Sequence, residues 1–189
     1  SWGALAQIFD SNGIAIGPAF SLAQANQGNN QYDPVVAATP DGGFVASWHA
    51  DGVGGDGNSS GVRVAKYSAT GTLISSEILA NTSTVNQQVV PEVAVASNGS
   101  FVVTWRSDYQ TPDPGIYDVY MQRFDAAGNK LGSETLVNTG TNGGQYLQKI
   151  ATNGSGLAMI TWGSTVGDSS GWGVLAKIYD SSGNVVVSD

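Results

Sequence analysis

Short apolar runs alternate with polar residues along the whole chain, and their period is two rather than the 3.6 of a helix. The segment VYMQRF at 119–124 is typical, with alternate side chains directed to opposite faces of a strand. Gly, Asp, Asn and Ser separate the runs and mark turns. The pattern predicts an all-β chain without helices.

The runs recur with a fixed period, which indicates tandem units. Three tryptophans stand 57 residues apart, at Trp48, Trp105 and Trp162. The segments around them, from 31 to 48, 88 to 105 and 145 to 162, align without a gap. A second half-unit of the type VYMQRFDAAG occurs four times and ends at Gly13, Gly71, Gly128 and Gly183. We therefore predict one repeat domain over 1–189, with a half unit at 1–30 and units at 31–87, 88–144 and 145–189.

Each unit is predicted to form four antiparallel strands, joined by turns such as Asp41-Gly42-Gly43. Four antiparallel strands repeated at this length are typical of a β-propeller blade. The recurring tryptophan is then an inter-blade packing residue. An open repeat array and a β-trefoil are the alternatives, and the trefoil leaves the fourth copy of the second half-unit unexplained. Because the chain opens within a unit, we expect it to be part of a longer protein.

The composition disfavours some classes of binding partner. Only 12% of residues are charged, and 15 acidic against 7 basic side chains give a formal net charge of -8. This balance disfavours nucleic acid as a partner, because phosphate backbones require clustered positive charge. No apolar run is long enough for membrane insertion. Cysteine is absent, so no disulfide framework is expected.

The repeat resembles a known family. FDAAGNKLGSETLVNT at 124–139, Gln145 and SNGSFVVTW at 97–105 are similar to the tandem repeats of very large bacterial secreted and surface proteins. In that group such units stand beside cadherin-like and calcium-binding modules, so the resemblance implies an extracellular or cell-surface, adhesin-like architecture. Ser68 and Gln148 depart from the family pattern. A looser likeness, of blade design only, is to Asp-box propellers, whose motif the chain does not carry.

The loops that follow each tryptophan vary in sequence, at 49–61, 106–118 and 163–173, and any recognition is expected there. Their carboxylates Asp51, Asp56, Asp108 and Asp113 are candidate calcium ligands, since calcium takes oxygen ligands from Gly-rich turns. Ordinary solvated turns are the simpler interpretation. No other cofactor is expected.

The same loops carry aromatic side chains. Tyr109, Tyr117 and Trp172 are candidate glycan-stacking residues, and packing under their own loops is the alternative. The single imidazole, His49, is replaced by Arg106 and Gly163 in the other units, so the scaffold does not require it. No nucleophile elbow or phosphate loop is present.

We therefore predict a non-enzymatic extracellular structural or adhesive module that associates with neighbouring repeats or copies of itself. A carbohydrate-binding, lectin-like propeller module is the second hypothesis. A secreted glycoside hydrolase is the third.

Overall fold

The computed structural model describes residues 2–24, 29–111, 117–168 and 170–189. Apart from one 3-10 turn at Gly52–Gly54, the regular structure in these ranges is β-strand. The strands are β1 Leu5–Phe9, β2 Ala15–Ser21, β3 Gln31–Ala38, β4 Phe44–Asp51, β5 Ser60–Tyr67, β6 Ile78–Leu79, β7 Gln88–Val95, β8 Phe101–Asp108, β9 Tyr117–Phe124, β10 Lys130–Leu136, β11 Gln145–Thr152, β12 Ala158–Asp168, β13 Gly171–Tyr179 and β14 Val185–Val187. None of the described segments is a helix of the length and apolarity needed to cross a membrane.

The strands form three four-stranded antiparallel sheets and one hairpin, all in chain order. We name β3–β6 the first blade, β7–β10 the second blade, β11–β14 the third blade and β1–β2 the N-terminal hairpin. The first strand of the second blade, β7, contacts both β3 and β11, so these three strands lie innermost. The fold is β-propeller-like, which confirms the prediction and excludes the trefoil.

Tryptophan holds each blade to the one before it. Trp48, Trp105 and Trp162 are fully buried, and each belongs to a separate apolar cluster between two neighbouring sheets. Trp105 packs with Val45 and Val62 of the preceding blade. The prediction of an inter-blade packing role is thus confirmed.

The aromatic residue that ends each third strand packs beside the tryptophan. Tyr67, Phe124 and Tyr179 occupy this position and are 1%, 0% and 2% exposed. Phe9 is their equivalent in the N-terminal hairpin, and it is 58% exposed. The difference arises because no sheet covers that side of the hairpin in the part of the chain that the structure describes.

Acidic turns close one end of the sheets, which we call the lower end. The Asp10 Oδ1 atom accepts hydrogen bonds from the N–H groups of Asn12, at 2.9 Å, and Ile14, at 2.8 Å. Gly13 completes the turn with a φ of 77°, a conformation that glycine adopts without strain. In the first blade the hydroxyl of Ser68 accepts the corresponding hydrogen bonds, from the N–H groups of Thr70 and Thr72. The substitution therefore preserves the turn.

Buried asparagines organise the opposite, upper end. The side-chain oxygens of Asn81 and Asn138 accept the N–H of Val62 and Val119, respectively, each at 2.8 Å. Both asparagines belong to an Asn-Thr dipeptide that follows the fourth strand of a blade. They satisfy a backbone donor where the edge strand leaves the sheet, and so fix the chain path into the next blade.

One predicted loop is wrong in its extent. The segment 163–173 was expected to be a loop, but β12 continues to Asp168 and β13 begins at Gly171. The two strands pair as far as Asp168 and Gly171. The third blade therefore has a long hairpin at the upper end, where the first blade has an irregular loop.

The matched pair Phe124 and Phe9 tests the packing role. We expect Phe124→Ala to lower the free energy of unfolding by about 3–5 kcal/mol, because it opens a cavity between two blades. Phe9→Ala should change it by less than about 0.5 kcal/mol, because that ring is already in solvent. Urea unfolding of the two variants measures both values. Equal losses in the two variants would contradict the role assigned to the inter-blade interface.

Candidate functional site

The variable side chains of the repeat gather at the upper end. The innermost strands β3, β7 and β11 begin there, and β4, β8 and β12 end there. The β4–β5 connection, which includes the 3-10 turn, also lies at this end. Loops on a rigid sheet scaffold are where binding residues concentrate.

A bulge interrupts each innermost strand at the same repeat position. Asp33, Val90 and Leu147 have φ values of 49°, 55° and 57°, in the left-handed region. The pairing of each strand with its neighbour shifts at this point. A β-branched residue such as Val90 is strained in this conformation, by an amount on the order of 1–3 kcal/mol. Bulges redirect neighbouring side chains, and they are common beside functional sites.

His49 lies beside the first bulge. Its ring stacks on Tyr32, with ring centres 5.2 Å apart, and its Nδ1 atom is 3.6 Å from a carboxylate oxygen of Asp33. The N–H of Val90 in the next blade donates a long hydrogen bond, of 3.5 Å, to the same Nδ1. Burial lowers the pKa of His49; Asp33 and Asp51 raise it by a smaller amount, and Arg106 lowers it. A neutral imidazole with an unprotonated Nδ1 agrees with the hydrogen bond from Val90.

An aromatic row crosses from the second blade to the third. The Arg106 guanidinium lies 3.9 Å from the ring centre of Tyr117 and 5.6 Å from that of Tyr146. Tyr117 and Tyr146 meet edge to face at 5.7 Å, and Tyr146 lies 5.6 Å from Trp172. Trp172 is 63% exposed. We call Arg106, Tyr117, Tyr146 and Trp172 the aromatic row.

In the third blade, a glycine leaves space for the Trp172 ring of this row. Gly163 occupies the repeat position of His49 and Arg106, and it pairs with Tyr146 across the strands. A Cβ atom at Gly163 would stand 3.7 Å from the Trp172 ring. A long side chain at this position would therefore compete with the indole for space.

One carboxyl group interacts with the Arg106 end of the aromatic row, and two others interact with His49. Asp108 interacts with Arg106, while Asp33 and Asp51 interact with His49, which in turn interacts with Arg106. Burial raises the pKa of Asp108, although the charge of Arg106 and the N–H of Tyr109 act in the opposite direction. We call Asp33, Asp51 and Asp108 the acidic residues of the upper end.

Two of the three predicted glycan-stacking residues lie together, and the third is in neither of their ring contacts. Tyr117 and Trp172 both belong to the aromatic row, joined through Tyr146, which the sequence analysis did not single out. Tyr109 is exposed and has a φ of 56°. Arg106 was likewise missed as a partner of these rings.

The predicted calcium ligands Asp51 and Asp56 are hydrogen-bonded within their own loop. Asp51 accepts a hydrogen bond from the Ser60 hydroxyl at 2.8 Å, and Asp56 accepts the N–H groups of Asn58 and Ser59. Asp113 lies outside the described residues. Within the described ranges, no three or more His, Asp or Glu side chains are arranged to hold a metal ion. Calcium binding stays a prediction.

No family model and no curated protein matches the chain. Among solved structures, it is similar to an endo-arabinase from Bacteroides thetaiotaomicron, with 13% identity and a TM-score of 0.51 over 85% of this chain. A thermostable family-43 glycoside hydrolase matches over 96% of this chain, also with 13% identity and a TM-score of 0.51. The chain spans 61% of the endo-arabinase and 69% of the second enzyme. At this identity the likeness shows the fold alone.

These neighbours correct the functional prediction. The sequence analysis predicted a non-enzymatic structural or adhesive module, and that prediction is contradicted because the two solved structures described above are glycoside hydrolases. The error arose because a repeat defines the scaffold, whereas function depends on the residues of a site, which a repeat does not define. The resemblance to bacterial surface repeats stays a prediction.

The depressed pKa of His49 predicts a pH-dependent stability. Below pH 6.5, the ordinary pKa of histidine, His49 is protonated in the unfolded chain but stays neutral to a lower pH in the folded chain. The contribution of His49 to the free energy of unfolding is therefore complete above pH 6.5. It is lost as pH falls through the folded-state pKa, with a slope of at most about 1.4 kcal/mol per pH unit. The measurement is urea unfolding of the native chain and of the His49→Gln variant between about pH 5 and about pH 7.5. It gives the difference between their free energies of unfolding at each pH. A difference that does not vary with pH would contradict the assignment.

Proposed function

We propose that the upper end of the blades is a carbohydrate-recognition surface, and that the aromatic row is its platform. The apolar C–H face of a sugar ring packs on an aromatic ring, and its hydroxyls bond to charged and amide side chains. The row supplies both, because exposed Trp172 leads through Tyr146 and Tyr117 to the Arg106 guanidinium. This continuous row is the observation that carries the proposal.

The geometry favours an extended ligand over a single sugar. Consecutive ring centres of Tyr117, Tyr146 and Trp172 are 5.7 and 5.6 Å apart, and the row crosses from one blade to the next. Such a row offers successive contacts to successive residues of a chain. The fold shared with an endo-arabinase supports arabino-oligosaccharides as the first ligands to test. The proposal includes an extracellular location, where such polymers occur.

The test is calorimetric titration with a panel of oligosaccharides that includes arabino-oligosaccharides. We expect Tyr146→Ala and Trp172→Ala each to weaken binding about tenfold, because a stacked ring contributes on the order of 1–1.5 kcal/mol. Phe9→Ala is the matched control, since it removes an exposed ring at the opposite end. Absence of binding to every sugar, or unchanged binding by both row variants, would reject the proposal.

Glycoside hydrolysis is the second candidate function. It requires a carboxylic acid that donates a proton to the leaving oxygen and a second carboxylate facing the sugar. Burial raises the pKa of Asp108, as suits a proton donor, and Asp33 and Asp51 both interact electrostatically with His49. Asp108 is thus the candidate acid, and it interacts electrostatically with Arg106 at one end of the aromatic row.

Hydrolysis is tested by the release of reducing ends from arabino-oligosaccharides. If the native chain is active, Asp108→Asn should lower the rate by about 10²–10⁴-fold, because the amide cannot donate the proton. Asp10→Asn, in a turn at the lower end, should leave the rate unchanged. An inactive native chain that still binds these sugars would reject hydrolysis and leave the recognition surface in place.

A further inference from the structure

Arg106 differs from the other basic side chains in that it donates no hydrogen bond within the part of the chain that the structure describes. The chain has 7 basic residues. The others each donate a hydrogen bond to a described acceptor: Arg63, Lys66, Arg123, Lys130, Lys149 and Lys177. The Nε atom of Arg106 is buried and has no partner. A guanidinium carries five N–H donors, so Arg106 has donors that no described residue uses.

The contacts around Arg106 hold the cation without supplying an acceptor. Its Cζ atom lies over the Tyr117 ring, 3.9 Å from the ring centre. A cation–π contact engages the charge of a guanidinium with the face of a ring and provides no acceptor oxygen. Asp108 interacts with Arg106 electrostatically, but the two side chains do not form an ion pair. The guanidinium, which is partly exposed, is therefore held in position with N–H groups available to a ligand.

The repeat shows that packing between blades does not require an arginine at this position. The equivalent residues are His49 in the first blade and Gly163 in the third. Arg106 lies where the second and third blades meet, and its Cζ atom is 5.6 Å from the ring centre of Tyr146 in the third blade. The arginine is thus specific to this one junction. Residues that differ between copies of a scaffold are candidates for binding.

We infer that the aromatic row binds saccharides that contain a uronic acid, and that Arg106 binds the uronate carboxylate. This inference rests on the recognition surface proposed above, and it names the class of sugar. A carboxylate accepts two parallel N–H bonds from a guanidinium, a geometry that a neutral hydroxyl group does not match. The carboxylate of a hexuronate projects from the edge of the sugar ring. A ring stacked on Tyr146 therefore presents it to the guanidinium 5.6 Å away.

The charges at the upper end favour one uronate among neutral sugars over a polyuronate. One guanidinium binds one carboxylate, and Trp172 at the other end of the row offers an uncharged ring to the next sugar. The acidic residues of the upper end, Asp33, Asp51 and Asp108, carry the same sign of charge as the ligand. Additional carboxylates on the saccharide would meet this negative charge without a second arginine to offset it.

The probes are two saccharides with a single uronate, glucuronosyl-xylotriose and galacturonosyl-rhamnose, and the methyl ester of each. The ester keeps the sugar rings that stack on the row and removes only the negative charge. Calorimetric titration of the native chain should show that at least one acid binds about tenfold or more tightly than its own ester, because a hydrogen bond to a charged group is stronger than one to a neutral group. Arabino-oligosaccharides are titrated in the same series.

Three variants test whether Arg106 causes this preference. Arg106→Gln should reduce the ratio of acid to ester affinity to within about twofold of unity, and Arg106→Lys should retain about threefold, because lysine keeps the charge but not the planar fork. Arg123→Gln is the matched control. It removes the same charge at the lower end, where Arg123 donates to the Ser181 carbonyl, and should leave the ratio unchanged. An unchanged urea midpoint verifies the fold of each variant.

The ratio is the decisive quantity, because Arg106 also contacts Tyr117 and its loss could weaken acid and ester alike. Equal affinities of the native chain for both acids and their esters, or a preference that persists in Arg106→Gln, would overturn the inference. If arabino-oligosaccharides bind in that case, the recognition surface stands and only the uronate assignment is wrong. If no saccharide binds, both the recognition surface and the uronate assignment are rejected.

Discussion

The contact between a buried tryptophan and apolar side chains of the preceding sheet is repeated through the molecule, and the other features depend on it. Trp105 packs with Val45 and Val62, and Trp162 packs with Val102 and Val119. Trp48 packs with the smaller Ala4 and with Leu22, which flank the N-terminal hairpin. Because this contact sets the spacing and angle between sheets, it brings the starts of the innermost strands together at one end. The aromatic row crosses from the second blade to the third only because those blades are held in this arrangement.

Most of the fold could be predicted from the repeat, because the same repeat positions make the packing contacts in each of the three blades. The spacing of the tryptophans and the Asp-Gly turns predicted the sheets and their order. The extent of β12 and β13 was not predicted, since pairing between Gly163 and Val174 is a tertiary contact with no local signal. Gly167 and Gly173 also approach each other backbone to backbone there, whereas the variable sequence of this segment had predicted a loop.

The candidate site was only partly predictable. Tyr117 and Trp172 stood out because they lie in variable segments, whereas Tyr146 lies in an innermost strand that repeat analysis assigns to the scaffold. Its position is occupied by Tyr32 and Val89 in the other units, and this variation was the available signal. The bulges could not be foreseen, because Asp33, Val90 and Leu147 share no residue type that favours a positive φ.

A stack in which each sheet touches only its neighbours also determines how the molecule comes apart. Its free energy is close to a sum of sheet and interface terms, so one interface can open without disturbing the others. Loosening the contact around Phe124 would therefore expose the first and second blades to a protease, while the contact around Trp162 would still protect the third blade.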